Sequence, residues 1–167
     1  IFNLRTLGKV SLLEHEMIER RPKSKLGIAH TRWATHGKPS EKNAHPHASS
    51  GEVNIVHNGI IENYLELKDK LIEAGYAFES ETDSEVIAHL LHQHLQSNGD
   101  LLAAMHEVIK ELDGAFAIAA IHIKDKNRLV VARNKSPLLI GVGLEENFAA
   151  SDPLALSQLT SEFVFLE

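Results

Sequence analysis

The stretch Val53-Asn54-Ile55-Val56-His57-Asn58-Gly59-Ile60-Ile61-Glu62-Asn63 decides how we interpret the fold. The apolar, β-branched residues at its start predict a buried strand. Asn58-Gly59 is typical of a tight turn, because glycine adopts a positive φ without steric cost and asparagine tolerates one. The stretch therefore predicts a strand that runs into a tight turn and is followed by a helix.

Asn58 and Gly59 also have a chemical interpretation. At the end of a strand they present a side-chain amide and a backbone N–H that no Cβ obstructs. Preorganised donors of this kind form an oxyanion hole, which stabilises negative charge as it develops on an oxygen atom. An ordinary turn is the alternative for an isolated Asn-Gly pair, so the choice depends on the rest of the chain.

The remaining pattern places helices and strands in separate blocks. Apolar periodicity and capping residues predict helices over residues 12–19, from about residue 65 to Gly75, from the Thr82–Glu85 capping box onward, and from Asp100 to residue 112. Strands are predicted over residues 26–32, 116–123, 128–132, 138–142, 148–150 and 163–167, and residues 38–50 are predicted to form a loop. Because strands and helices do not alternate, we expect an α+β fold with a largely antiparallel sheet.

Composition and charge argue against several classes of function. The 167 residues carry a formal net charge of −6, which argues against a nucleic acid or an anionic membrane as the main partner. The longest apolar run, residues 114–121, is too short to span a bilayer, and no signal-peptide pattern opens the chain. We therefore expect a cytoplasmic protein that binds neither nucleic acid nor membrane.

The chain contains no cysteine, which excludes disulfides, thiolate metal sites and cysteine nucleophiles within these residues. Residues 1–5 and 163–167 both have strand-like sequences, with no turn before the first or after the second. We therefore expect residues 1–167 to be part of one domain, truncated at both ends.

Five polar or aromatic residues are candidates for binding. Arg32 ends a predicted strand, where its guanidinium can hold a carboxylate with two parallel hydrogen bonds, although a surface ion pair is the alternative. Trp33 is expected in the core or in a lid, and Thr35 and His36 continue the same loop. Asp83 is predicted in the first turn of a helix, where it either supports the helix dipole or binds an ammonium group.

The 11 histidines raise the alternative of a metal site. Glu85, His89 and His92 share one helix face by their spacing. There is no His-Glu-x-x-His motif and no cysteine ligand, so a solvated helix face is the better interpretation. We predict neither a metal nor another cofactor.

Several motifs together resemble a known family. They are His30-Thr31-Arg32-Trp33-Ala34-Thr35-His36-Gly37, Asn43-Ala44-His45-Pro46-His47, Val56-His57-Asn58-Gly59-Ile60-Ile61-Glu62-Asn63 and Ser80-Glu81-Thr82-Asp83-Ser84-Glu85, supported by Ser136-Pro137-Leu138, Glu146-Asn147-Phe148 and Ala150-Ser151-Asp152. In this order, over nearly the whole chain, they resemble the glutaminase domain of the glutamine–fructose-6-phosphate aminotransferase (isomerising) family, which are class II glutamine amidotransferases. The resemblance implies the N-terminal-nucleophile hydrolase fold, a four-layer αββα sandwich with two mainly antiparallel sheets.

The resemblance also implies roles for the candidate residues. The side-chain amide of Asn58 and the N–H of Gly59 would hold the oxyanion of the tetrahedral intermediate. Arg32 would bind the α-carboxylate of glutamine, and Asp83 would bind its α-ammonium group. The loop that carries Trp33, Thr35 and His36 would close the pocket.

The implied nucleophile in this family is a cysteine at the mature N-terminus, whose own amine acts as base. This chain has no cysteine, so we expect the chain alone to hold the recognition and oxyanion half of the site and to be inactive.

The implied function is hydrolysis of glutamine, with ammonia supplied for conversion of fructose 6-phosphate to glucosamine 6-phosphate in amino-sugar biosynthesis. The implied partners are L-glutamine and L-glutamate, a sugar isomerase domain that these residues do not include, and further copies in a homo-oligomer. Two alternatives remain: a non-catalytic module that binds glutamine or glutamate, and the glutaminase domain of another class II amidotransferase.

Overall fold

The computed structural model describes residues 1–33 and 36–167. Its helices are α1 (Val10–Arg20), α2 (Tyr64–Glu73), α3 (Glu85–Asn98) and α4 (Leu101–Glu111), with short 3-10 helices at Glu41–Asn43 and Pro153–Leu156. Its strands are β1 (His47–Ser49), β2 (Val53–Ile61), β3 (Gly114–His122), β4 (Asp125–Asn134), β5 (Leu139–Val142), β6 (Asn147–Ala150) and β7 (Glu162–Phe165).

The strands form two antiparallel sheets. In the larger sheet the order is β1-β2-β3-β4, and β2 pairs with β3 along its whole length, from Val53 opposite His122 to Ile61 opposite Gly114. In the smaller sheet β5 is the central strand, between β6 and β7. The prediction of an α+β fold with antiparallel sheets is therefore confirmed.

The main core lies between the larger sheet and the helices α2, α3 and α4. The apolar sides of these helices and one face of the sheet form a single buried cluster, which includes Ile55, Ile87, Leu91, Met105 and Ile118. Full burial of one such side chain contributes roughly 1.5–3 kcal/mol relative to its exposed state, so this cluster stabilises the sheet that carries the candidate site. In contrast, α1 contributes no buried residue.

The turn predicted at Asn58-Gly59 is wrong. Both residues lie within β2, opposite Ala117 and Phe116 of β3, and the turn follows at residues 62–63. Gly59 has a φ of 138°, and a Cβ at this position would lie 2.0 Å from the carbonyl oxygen of Ala115. Glycine is therefore required here by the close approach of β3 and not by a chain reversal.

Three further local predictions are wrong. Residues 1–5 and 26–32 form no strand, because a strand needs a hydrogen-bonded neighbour and no strand of the described residues pairs with them. Residues 47–49 of the predicted loop form β1, which pairs with residues 53–55. The third helix, α3, begins at Glu85 and not at Thr82, whose hydroxyl lies 3.1 Å from Nε2 of His47 and caps no helix.

Other predicted elements are found close to their expected positions. The first helix, α1, covers residues 12–19, and Asp100 caps α4 by accepting a hydrogen bond from the N–H of Ala103 at 2.9 Å. None of the helices in residues 1–33 and 36–167 has the length and apolar character needed to cross a membrane.

Candidate active site

Asp83 lies in the turn before α3 and is buried against β2. Its carboxylate accepts a hydrogen bond from the N–H of Ile61 at 2.8 Å, and only 3% of the residue is exposed. The hydroxyl of Ser84 lies 2.8 Å from Nδ1 of His57, which is also on β2. The turn is thus attached to β2 on both sides of the Asn58-Gly59 pair. Asp83 does not lie in the first turn of the helix, where the sequence predicted it.

Glu85, the first residue of α3, holds this turn in place. Its carboxylate accepts hydrogen bonds from the N–H groups of Glu79 and Ser80 at 2.9 and 2.7 Å, and from the Ser80 hydroxyl at 2.6 Å. Burial alone would raise the pKa of Glu85, but the nearby His89 and the hydrogen bonds from Glu79 and Ser80 outweigh burial and lower the pKa to about 2. The carboxylate is therefore ionised at neutral pH and fixes the path of the chain into Asp83.

Arg32 organises the turn that follows it in the chain. Its guanidinium donates to the carbonyl oxygen of His36 and, at 3.0 Å, to that of Gly37. The ring of His36 packs edge-on against Tyr64 with centroids 5.3 Å apart, and its Nδ1 lies 3.9 Å from the carboxylate of Asp83. The turn bound by Arg32 is therefore a neighbour of Asp83.

A cluster of buried imidazoles packs beside Arg32. The ring centroids of His30 and His45 are 4.2 Å apart, and those of His45 and His47 are 4.7 Å apart. Burial lowers the pKa of His30 and His45, and it lowers the pKa of His47 and His57 to about 4. The charge of Arg32 adds to this lowering of the pKa at the first three rings. These imidazoles are neutral at pH 7, so they add no positive charge to that of Arg32 and Arg5, which both lower the pKa of His47.

Asn58 is exposed and Gly59 partly exposed in the second half of β2. The N–H of Glu62 donates to the carbonyl oxygen of Asp113 at 2.9 Å, on the side of β3. Because amide directions alternate along a strand, the N–H groups of Ile61 and Gly59 are expected on the opposite edge, where Ile61 binds Asp83. No hydrogen bond among the described residues joins Asn58 to Asp83. The structure thus brings Asp83 to the edge of β2 that carries Gly59 and leaves the Asn58 amide exposed.

The described residues form two cavities, and neither lies at the candidate site. One, of about 270 Å³, is lined mainly by charged and polar residues, among them Arg5, Lys42, His47, Glu79, Glu85 and His89. The other, of about 320 Å³, lies against the smaller sheet at residues 133–139 and 165–166. Neither is lined by Arg32, Asn58 or Asp83, so neither is the pocket predicted from these residues.

Trp33 is 90% exposed, which contradicts the expectation of a core residue and leaves the lid as its remaining interpretation. His36 is half-buried beside Asp83, as described above. Thr35 lies outside the described residues, so its predicted part in the loop remains a prediction.

The solvated helix face predicted for α3 is wrong at His89. This residue is 5% exposed, and its Nδ1 lies 2.9 Å from the hydroxyl of Ser49 on β1. Its Nε2 lies 3.5 Å from the carboxylate of Glu85. His92 contacts the hydroxyl of Tyr76 at 2.9 Å. In residues 1–33 and 36–167, no group of three or more histidine, cysteine, aspartate or glutamate side chains is arranged to hold a metal ion.

Reasoning from the sequence missed the residues that fix this region in space. Ser84 contacts His57, 27 positions earlier, and Asn43 contacts Glu81, 38 positions later. No local pattern marks such pairs, because each partner is ordinary in its own segment. Glu85 was identified by the capping-box pattern, but it reaches back to Glu79 and Ser80 and not to Thr82.

Solved structures with a similar arrangement define the class of protein. The glutamine phosphoribosylpyrophosphate amidotransferase of B. subtilis, complexed with ADP and GMP, gives a TM-score of 0.64 at 26% identity, over 82% of this chain and 29% of that chain. A structure described as the allosteric regulatory enzyme of purine biosynthesis gives a TM-score of 0.67 at 26% identity, over 83% and 30%. These similarities confirm the predicted N-terminal-nucleophile fold class.

A family model described as a glutamine amidotransferase domain matches residues 30–158, and the chain belongs to this family. Two similar relatives are named glutamine–fructose-6-phosphate aminotransferase [isomerizing]. The one from Pseudomonas aeruginosa is 56% identical over 98% of this chain, and the one from Acinetobacter baylyi is 53% identical over 100% of it. The chain spans about 27% of the length of each relative. The family resemblance drawn from the motifs is confirmed.

Proposed function

We propose that this chain binds glutamine and forms the recognition and oxyanion part of a glutaminase site. The observation that carries the proposal is the attachment of the Asp83 turn to β2. Asp83 accepts from Ile61 at 2.8 Å, and Ser84 contacts His57 at 2.8 Å, so a buried carboxylate flanks the Asn58-Gly59 pair. A site for a free amino acid needs an anionic group that holds the α-ammonium group and so fixes the orientation of the ligand.

In this proposal Asp83 binds the α-ammonium group of glutamine and Arg32 binds its α-carboxylate. One oxygen of Asp83 accepts from Ile61 at 2.8 Å, and the other accepts a long hydrogen bond from the Ser84 hydroxyl at 3.5 Å and faces His36 at 3.9 Å. Arg32 uses one terminal nitrogen to hold the carbonyl oxygens of His36 and Gly37. A guanidinium has five N–H donors, so its fork keeps further donors for a carboxylate. The neutral imidazoles beside Arg32 do not compete with it for that carboxylate.

We further propose that Asn58 and Gly59 stabilise the reaction's oxyanion. When a nucleophile adds to the side-chain amide of glutamine, negative charge moves onto the carbonyl oxygen. The exposed amide of Asn58 and the N–H of Gly59 are donors in a rigid strand, and such donors need no rearrangement as the charge forms. Once the proton of the nucleophile has moved to the leaving nitrogen, collapse of the intermediate breaks the C–N bond and releases ammonia. Water then hydrolyses the resulting acyl–enzyme and releases glutamate.

The wider activity is proposed from the relatives' names. Because both relatives described above are aminotransferases named for fructose 6-phosphate, we propose that ammonia from this site serves the formation of glucosamine 6-phosphate. Residues 1–167 would then be part of a glutaminase domain that works with a sugar isomerase domain in a homo-oligomer. The attacking cysteine would lie outside these residues, which contain none.

Glutamine kinetics of the protein expressed from its complete gene test the proposed roles. We expect Asp83→Asn to keep the acceptor for Ile61 but to raise the KM for glutamine by about tenfold or more, since it removes the charge that faces the ammonium group. Arg32→Lys is expected to act similarly, because an ammonium group cannot form the two parallel bonds of a guanidinium. Glutamate release is the measurement.

Asp69→Asn is the matched control, because Asp69 is exposed on α2 and removal of its charge leaves the site intact. Unchanged glutamine KM in both Asp83→Asn and Arg32→Lys would refute the binding roles. The alternative of a non-catalytic module is tested by calorimetry of residues 1–167 with glutamine. It requires saturable binding in that experiment and no release of glutamate by the complete protein.

A further inference from the structure

We propose that Asn43 is a positioning residue that sets the distance between the Arg32 turn and the Asp83 turn. The proposal rests on the proposed function for its consequence, the fit of an α-amino acid between these two groups. Asn43 is the last residue of the 3-10 helix Glu41–Asn43 and has no exposed surface.

The side chain of Asn43 forms hydrogen bonds with both turns at once. Its Nδ2 donates to the carbonyl oxygen of Lys38 at 2.9 Å and to the carboxylate of Glu81 at 2.9 Å. Its Oδ1 accepts from the N–H of Glu81 at 2.9 Å. Both amide hydrogens and the oxygen are therefore used, and they join residue 38 to residue 81.

These bonds connect the two proposed binding groups through short lengths of chain. Lys38 follows Gly37, whose carbonyl oxygen accepts from Arg32 at 3.0 Å. Glu81 lies two residues before Asp83, whose carboxylate is fixed on Ile61. A displacement of the Asn43 amide would therefore move both turns relative to β2.

Gly37 shows how closely the turn is held against Asn43. It has a φ of 76°, and a Cβ there would lie 2.7 Å from Nδ2 of Asn43 and 3.0 Å from Cβ of Glu81. The left-handed backbone and the lack of a side chain allow the turn to approach both residues. The spacing of the two turns is thus set by direct contact as well as by hydrogen bonds.

An asparagine is the side chain that this position requires. Aspartate offers no donor for Lys38 and would place a second carboxylate beside Glu81, while glutamine has the same groups on a longer stem. The hydrogen bond from Asn43, followed by the charge of Lys42, lowers the pKa of Glu81, which agrees with an ionised acceptor at this contact.

The test compares Asn43→Asp with Asn63→Asp, measured by amide hydrogen exchange on residues 1–167. Asn63 is the matched control because it makes the same kinds of bond elsewhere: it donates to the carbonyl oxygen of Glu111 at 2.8 Å and accepts from the N–H of Asp113 at 3.0 Å. We expect Asn43→Asp to raise exchange by about tenfold at the N–H of Glu81, on the side of the Asp83 turn, and at the N–H groups of Asn43 and Ala44 in the 3-10 helix, on the side of the Arg32 turn. We expect Asn63→Asp to leave all three unchanged. Faster exchange on only one of the two sides would overturn the proposal.

The functional readout is the KM for glutamine of the protein from its complete gene. We expect Asn43→Asp to raise this KM by about tenfold with a smaller change in kcat, because the change alters the spacing of groups that hold the substrate. An unchanged KM would overturn the proposal. If the unmutated protein does not bind glutamine, the proposed function fails, while the exchange result still decides whether Asn43 joins the turns.

A second variant covers the case in which Asn43→Asp does not fold. Glu81→Ala removes the exposed carboxylate that Asn43 contacts but leaves the buried asparagine and its bond to Lys38. We expect a smaller increase in exchange at the same three N–H groups and a smaller rise in KM. No change in either measurement would overturn the proposal.

Discussion

The two sides of the candidate site are held by different kinds of contact. Asn58 and Gly59 belong to β2, which is fixed by backbone pairing with β3 along its whole length. Asp83 belongs to a turn that is fixed by buried side chains, chiefly Glu85 and Asn43. The strand side is therefore as rigid as the sheet, whereas the turn side depends on a few individual hydrogen bonds.

This difference predicts how each side responds to change. A backbone contact in a sheet has no room to relax, so a substitution on the strand side should affect the whole fold. A side-chain contact can be removed one hydrogen bond at a time, so substitutions on the turn side should have graded effects. The variants below test this contrast in order of expected effect.

Gly59→Ala is expected to have the largest effect. The new Cβ would lie 2.0 Å from the carbonyl oxygen of Ala115, in a backbone with a φ of 138°. We expect a loss of about 3–5 kcal/mol in the free energy of unfolding, because β2 and β3 must separate or bend. Urea denaturation followed by circular dichroism measures it.

Gly51→Ala is the control for backbone strain alone. Gly51 has a φ of 67°, but a Cβ there meets no atom within 4 Å. We expect a loss of about 1 kcal/mol. Equal losses in the two variants would show that the approach of β3 does not matter, and the strand side would then be no more rigid than a surface turn.

Glu85→Gln should have the next largest effect. Its buried carboxylate accepts hydrogen bonds from two backbone N–H groups and one hydroxyl group. The side-chain amide of the introduced glutamine would have only one oxygen to accept them and would place its NH2 group against the remaining donors. We expect a loss of about 2–3 kcal/mol at pH 7 from the weakened charge-assisted bonds. Glu107→Gln on α4 is the control, since that carboxylate contacts an exposed lysine, Lys110, at 2.8 Å.

The same variant has a defined pH dependence. Hydrogen bonds lower the pKa of Glu85 to about 2 in the folded protein, against 4.5 for an ordinary glutamate. Its stabilisation is therefore present above pH 4.5 and is lost as the pH falls toward 2. The difference in unfolding free energy between the original protein and Glu85→Gln should shrink over this range. A constant difference would show that Glu85 is not ionised in the fold.

Acidification should also destabilise the fold through its buried histidines, at a higher pH than it does through Glu85. Burial lowers the pKa of His47 and His57 to about 4, against 6.5 for an ordinary histidine. As the pH falls, the unfolded chain therefore binds protons at these histidines before the folded protein does. The two histidines do not lower the free energy of unfolding above pH 6.5, and they lower it increasingly as the pH falls toward 4. Each histidine should contribute a slope of about 1.4 kcal/mol per pH unit.

His57→Gln should therefore reduce the slope of unfolding free energy against pH by about one proton. An unchanged slope in His57→Gln would show that this buried ring is not a group that titrates between pH 6.5 and 4.

The strand side was also the side that the sequence allowed us to predict. Apolar, β-branched residues identify β2, and a glycine beside an asparagine marks a special position, although we assigned it to a turn. The pairing that makes Gly59 necessary comes from β3, 57 positions later, and is invisible in the local pattern.

The turn side was predicted only in its residue types. Arg32 and Asp83 were identified as binding candidates, but their neighbours follow from the contacts of Asn43 and Ser84 with distant segments. For the same reason residues 26–32 have the composition of a strand and form none, since no partner strand lies beside them in the described residues. Local propensity predicts an element, and the partner decides whether it forms.

Of the substitutions considered, Trp33→Ala should have the smallest effect on the free energy of unfolding. Its side chain is 90% exposed, and surface substitutions away from special features change the unfolding free energy by about 0.5 kcal/mol or less. We nevertheless propose that this ring closes over bound glutamine, so the variant should weaken glutamine binding several-fold while the urea midpoint stays the same. Leu144→Ala is the control, because Leu144 is 96% exposed and lies far along the chain in the smaller sheet's hairpin. Equal glutamine affinity in the two variants would mean that Trp33 contributes to neither the fold nor the pocket.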